Sequence, residues 1–246
     1  MRKNILSIVL LVAALGVSVQ SAQAAWAPAI IAGISAQFEP LWKLSIGTQT
    51  YSTFPSSLQD SKRWVDKPNP DRLGLVREVS AVITNAGGSY SITSIAAASV
   101  SGAATTYYSG GNIVADIHSH PFHPGVDFEM GTTFSGTDVV SPFAIAPRSL
   151  FRTGYVRIVR TGRAWYSLEI EDVTKATALY QRLTTEGLAK HMSLVEYAND
   201  VYTHTNHGTD IDNIRENCVI RLIGSSSASG IGFYKMPVGG GVQKLN

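Results

Sequence analysis

Two histidines flank a single serine in Ile117-His118-Ser119-His120-Pro121. Residues 112–117 read as a strand that runs directly into them. Side chains alternate along a strand, so a His-x-His pair sends both imidazoles to the same side. Two neutral imidazoles so placed can hold one borderline-soft cation, and a nearby carboxylate completes the three protein ligands of an open zinc site. The fourth position then belongs to water. His-x-His alone is a weak signal, found in several metal-dependent hydrolase folds. A polar loop and then Ser135-Gly136-Thr137-Asp138 strengthen it.

These residues need elements to position them. Residues 75–84 alternate, with Val76, Glu78, Ser80 and Val82 on one face and Leu75, Arg77, Val79, Ala81 and Ile83 on the other. Asn85-Ala86-Gly87-Gly88 is a turn signal, and residues 89–95 read as the returning strand of a hairpin. Residues 96–104 suit a short helix or a loop. A second hairpin is expected from strands 154–160 and 164–170 around Thr161-Gly162-Arg163. Asp172 can cap a helix carrying Val173, Ala176, Leu179, Tyr180 and Leu183, with Gly187 ending it. Ser193-Leu194-Val195-Glu196 is a capping-box pattern opening a second helix. Residues 219–223 read as a strand before a Gly/Ser-rich tail, which makes Cys218 a buried strand residue rather than a nucleophile. Residues 25–73 look irregular, punctuated by Pro40, Pro55, Pro68 and Pro70 and studded with aromatics, as in a segment wrapped over a core. The expected class is α+β: a mixed sheet with hairpins flanked by helices, and a C-terminal helical extension, in one domain.

The chain opens with Arg2 and Lys3, an apolar run over residues 5–19, and Ala22-Gln23-Ala24, which together read as an export signal cleaved after residue 24. An uncleaved N-terminal anchor is the alternative. Cleavage leaves 222 residues, with 18 of the 20 basic residues against 18 acidic ones. That balance removes the electrostatic argument for nucleic acid or anionic lipid as a partner. No later stretch reaches the ~20 apolar residues of a spanning helix, so no stable membrane span is expected after cleavage. The single cysteine rules out an intrachain disulfide, leaving packing, assisted by a bound metal, to stabilise an exported fold.

The sum of these features resembles the JAMM (JAB/MPN) zinc metalloprotease family, in the form found in secreted bacterial proteins and polymorphic toxins. Its pattern is an upstream glutamate on a strand, His-Ser/Thr-His-Pro, and a following Ser-x-x-Asp. Glu78, His118, His120, Ser135 and Asp138 take those places, and the resemblance covers roughly residues 73–170. The loop over residues 121–137 is longer than the family's usual spacing, so Asp127 and Glu129 inside it are alternative carboxylate ligands. The resemblance implies a JAMM, cytidine-deaminase-like core and Zn2+ held by His118, His120 and Asp138. Glu78 is then the general base, and Ser135 the oxyanion donor or the cap of the helix that carries Asp138. The implied activity is hydrolysis of an amide or isopeptide bond in a peptide or protein, peptidoglycan peptides included, in the periplasm or outside the cell.

The corresponding division is 1–24 signal peptide, 25–72 wrapping segment, 73–170 metal-hydrolase core, and 171–246 C-terminal helices and strand. Asp116 is read as pointing to the opposite side of its strand, with a structural or ligand-supporting role. His123, His191, His204 and His207 are read as exposed histidines, with a spare ligand as the alternative for His123 and a second metal site or substrate loop as the alternative for the other three. Competing readings are a different His-x-His zinc hydrolase, a non-catalytic metal-binding or partner-binding envelope module, and an antibacterial effector with an immunity partner.

Overall fold

A computed structural model describes residues 26–45, 78–97, 108, 111–120, 133–136, 138–139, 148–187 and 211–246. In chain order its elements are α1 (Trp26–Ser45), β1 (Val79–Ala86), β2 (Ser89–Ala97), β3 (Ile113–Ser119), a 3₁₀ turn (Arg148–Leu150), β4 (Val156–Arg160) and β5 (Ala164–Ile170). They continue with α2 (Val173–Glu186), α3 (Ile211–Ile223), a single turn α4 (Ser226–Ser229), β6 (Ile231–Pro237) and β7 (Gln243–Lys244). The strands form one seven-stranded sheet in the order β2-β1-β3-β4-β5-β6-β7. Among the described strands only β3 and β4 pair parallel; the other neighbours are antiparallel. The class is α+β with a mixed sheet flanked by helices, as the sequence pattern predicts.

Both faces of the sheet are covered, which is why β4 and β5 are buried at every residue. On one face α1 lays Ala27, Ile30, Ile31, Ile34, Phe38 and Trp42 against Ala81, Ile83, Ala115, Ile117, Val156 and Ile158. The three- and four-residue spacing of those α1 positions makes one apolar stripe. Burial of each large side chain there contributes about 1.5–3 kcal/mol. On the other face α2 supplies Ala176, Leu179 and Leu183, and α3 supplies Val219, Leu222 and Ile223. Phe134 and Val139, from the connection between β3 and β4, join that second core.

Two local devices set the hairpins and helices. Gly87 and Gly88 both take positive φ, as a tight two-residue hairpin between β1 and β2 requires. The Asp172 side chain accepts hydrogen bonds from the backbone of Thr174 and Lys175 and so caps α2, which ends at Gly187.

Three expectations are corrected. Residues 26–45 are a helix, not irregular chain: Pro40 sits on its exposed side, where the carbonyl it leaves unbonded can be hydrated. Residues 219–223 end helix α3 instead of forming a strand, and Cys218 is half-buried within that helix. The last strands, β6 and β7, lie instead in what looked like a Gly/Ser-rich tail. The second expected helix, opening at Ser193, falls outside the described residues. Among the described residues, no helix is long and apolar enough to cross a membrane.

Candidate metal centre

The register between β1 and β3 explains how distant residues meet. Ser80 lies opposite His118 and Val82 opposite Asp116. Opposed residues share a face, and alternation then sends Glu78, Ser80 and Val82 to the side where Asp116, His118 and His120 project. On its other flank β3 runs beside β4, with Asp116 next to Arg157 and His118 next to Val159. Asp116 therefore points to the same side as the histidines, not away from them. Residues 116 and 118 differ by two, one full period of the strand.

Glu78, His118 and His120 are all buried, with ligand atoms within 4.8 Å of one another, and could hold a metal ion. The two Nε2 atoms are 3.2 Å apart, and Glu78 Oε1 lies 3.9 Å from His118 Nε2. Ser119, between the histidines, has a separate task. Its hydroxyl accepts the Val79 N–H at 2.9 Å, tying the residue after Glu78 to the histidine strand.

Asp138 arrives from the connection between β3 and β4. Its Oδ1 is 3.2 Å from His118 Nε2 and its Oδ2 is 3.1 Å from His120 Nε2. A reciprocal cap holds it there. Ser135 Oγ accepts the Asp138 N–H at 3.1 Å, while Asp138 Oδ2 accepts from the Ser135 backbone N–H at 2.8 Å and from its hydroxyl at 2.7 Å. This is a capping box with aspartate in the place of glutamate. Phe134 before the cap and Val139 after it are both buried in one core, in the positions of a hydrophobic staple. The Phe134 ring lies 6.5 Å from the His118 ring and 6.1 Å from Phe233, fixing the turn over the site.

Three observations bear on whether a cation fits. First, ligand atoms around a tetrahedral zinc at ~2.0–2.1 Å stand about 3.3–3.4 Å apart. The two imidazole nitrogens are 3.2 Å apart, close to that spacing, and Asp138 faces them with one oxygen each, Oδ1 at 3.2 Å from His118 and Oδ2 at 3.1 Å from His120. Second, the site gathers two carboxylates and two imidazoles with little exposure, a charge set that a divalent cation could balance. Burial alone would raise the Asp138 carboxyl, but the charges and hydrogen bonds of His118 and His120 outweigh it and hold the group well below the usual carboxylate range. Third, among the described residues the fully buried Ser80 hydroxyl, opposite His118, has no hydrogen-bond partner, nor does that of Thr133, two residues before Ser135. The donor set of nitrogen and oxygen suits zinc among other first-row metals.

Asp127, Glu129 and His123 lie outside the described residues, as do His191, His204 and His207. The residues that sequence reasoning passed over are Phe134, Val139 and Arg157. The first two form a staple around Ser-x-x-Asp and were readable as one. Arg157, in the otherwise apolar run Val156 to Val159, hydrogen-bonds Asp116 and the Asp138 carbonyl. Its role depends on β3–β4 pairing, which no local pattern specifies. No family model matches the chain, and no match was found among curated proteins or solved structures.

Proposed function

We propose that this chain is an exported, JAMM-like zinc peptidase or isopeptidase, with His118, His120 and Asp138 as the metal ligands. The observation that carries the reading is the convergence of those three side chains at 3.1–3.2 Å with the Glu78 carboxylate beside them. A zinc ion held by these residues would act as a Lewis acid towards the scissile carbonyl and would lower the pKa of water towards ~7. Glu78 Oε1, 3.9 Å from His118 Nε2, is within reach of the same site, and in this reading it moves the proton while Asp138 completes the ligands. It takes the proton of the attacking water and returns it to the leaving amine, so that an amide becomes a carboxylate and a free amine. Ser135 holds Asp138 through its hydroxyl, and donation to the developing oxyanion requires that hydroxyl to turn from the aspartate to the substrate.

The charged start, apolar run and Ala22-Gln23-Ala24 support export, and in this reading the reaction takes place in the periplasm or outside the cell, where peptides, proteins and peptidoglycan stems supply the bonds. The test is hydrolysis of peptide and isopeptide libraries by the mature protein, with zinc content measured in parallel. Glu78→Gln is expected to keep its zinc and to lose at least 100-fold in turnover, the scale of a lost general base. Full hydrolysis by a zinc-replete Glu78→Gln would remove the proposed role. Zinc loss in the same variant would make Glu78 a ligand instead.

A further inference from the structure

Behind the metal centre lies a buried polar network that no ligand role accounts for. Asp116 on β3 and Arg157 on β4 are 1% and 7% exposed. Arg157 Nη2 meets Asp116 Oδ2 at 2.8 Å and Nε meets Oδ1 at 3.3 Å, so the carboxylate grips two corners of the guanidinium. Two phenols close the rest of that carboxylate: Tyr155 donates to Oδ1 at 3.1 Å and Tyr108 to Oδ2 at 3.3 Å. Burial and the neighbouring Asp116 charge push Tyr108 up to about 12 and Tyr155 well above its ordinary value, so both remain donors. The third corner of the fork, Nη1, donates to the backbone carbonyl of Asp138 at 3.3 Å.

That last contact gives the network a purpose beyond packing. Arg157 thereby reaches the backbone of the one residue whose carboxylate meets both histidines. A guanidinium is a rigid planar fork, so fixing two corners on Asp116 decides where the third can point. We propose that Arg157 is a positioning residue for the metal centre: anchored by Asp116, it holds the backbone of Asp138 at the depth where its carboxylate meets both histidines. The capping box sets the aspartate's rotation, and Arg157 sets the height of the turn above the sheet. This rests on the reading that His118, His120 and Asp138 hold a metal.

The test is a cobalt(II) titration of the mature protein followed by visible absorption, which reports coordination geometry as well as affinity. Wild type, His118→Ala, Arg157→Lys, Asp116→Asn and Tyr155→Phe are compared, each with its thermal midpoint. Lysine keeps the charge beside Asp116 but cannot span to Asp138. Arg157→Lys and Asp116→Asn are expected to bind cobalt 10- to 100-fold more weakly, the usual loss for a ligand's supporting partner, with altered ligand-field bands. Tyr155→Phe removes one bond to the same carboxylate and is expected to lower the midpoint while keeping the wild-type spectrum. Asp116→Asn, close to isosteric, carries the comparison if Arg157→Lys does not fold. Wild-type affinity and spectrum in the folded Arg157 or Asp116 variant would overturn the proposal, as would an equal change in Tyr155→Phe. If wild type and His118→Ala both fail to bind, the metal reading falls and takes this one with it. If only His118→Ala fails, the metal reading stands and the Arg157 result is decided on its own.

Discussion

At the residue scale, the centre depends on small groups that hold larger ones. Ser135 makes two hydrogen bonds through its hydroxyl, one to the Asp138 carboxylate and one from its backbone. Ser135→Ala should cost about 0.5–2 kcal/mol as a lost cap. It should also weaken metal binding, because Asp138 Oδ2 loses the donor that fixes its rotation. Urea unfolding and a zinc-competition titration on the same variant separate the two effects, and unchanged zinc affinity would confine Ser135 to capping. His118 and His120 were legible as a pair because a two-residue spacing has one meaning on a strand. The same spacing applies to Asp116, which belongs with them. Arg157 was not legible: an arginine in an apolar strand signals a buried partner, but its identity waits on which strands are neighbours.

At the element scale, a few junctions hold the layers together. Gly230 takes a positive φ at the start of β6, and its carbonyl accepts from the backbone of both Glu171 and Asp172 where β5 turns into α2. A Cβ there would collide with the Asp172 carbonyl, so Gly230→Ala is expected to destabilise by more than the ~1 kcal/mol typical of a point change. Thermal unfolding checks it, and a midpoint at or above wild type would contradict it.

Glu169 on β5 reaches the other layer, accepting the Ala27 N–H at 3.1 Å in the first turn of α1. Burial raises its carboxyl above the usual range, against the opposing hydrogen bonds from the Ala27 and Trp26 backbone. A carboxyl raised by folding favours its protonated form in the native state. Its contribution is therefore fully present below the unfolded value near ~4.3 and is lost as pH rises through the folded value. Glu169→Gln is neutral throughout, so between pH ~4 and ~7 it should lose less stability than wild type does. Urea midpoints at the two pH values decide this, and equal pH dependence in both proteins would contradict it.

The elements that escaped the sequence did so for identifiable reasons. Pro40 and the scattered aromatics masked α1, although Ile30, Ile34, Phe38 and Trp42 keep helical spacing. The run from Cys218 to Ile223 reads equally as strand or buried helix, and only Arg215, Val219, Leu222 and Ile223, buried at helical spacing, decide it. The hairpin of β4 and β5 and the capped helix α2 were legible because turn residues and caps bound them on both sides.

At the scale of the whole molecule, a seven-stranded sheet buried on both faces carries a polar centre at one end of β3, the strand beside the middle one. With one cysteine and no disulfide open to it within the chain, a bound cation that joins β3 to the Asp138 turn is also a link between layers. A ligand that binds only the folded state stabilises it by about 2.7 kcal/mol at a hundred times its dissociation constant. The central claim is that this centre holds one metal ion through the histidine pair, and the most direct measurement is zinc stoichiometry with the accompanying thermal shift. The mature wild-type protein is expected to bind one zinc per chain, to melt higher with it, and to lose that increment on chelation. His118→Ala should bind none at the site and show no shift, whereas zinc bound equally by both proteins, or by neither, would contradict the account.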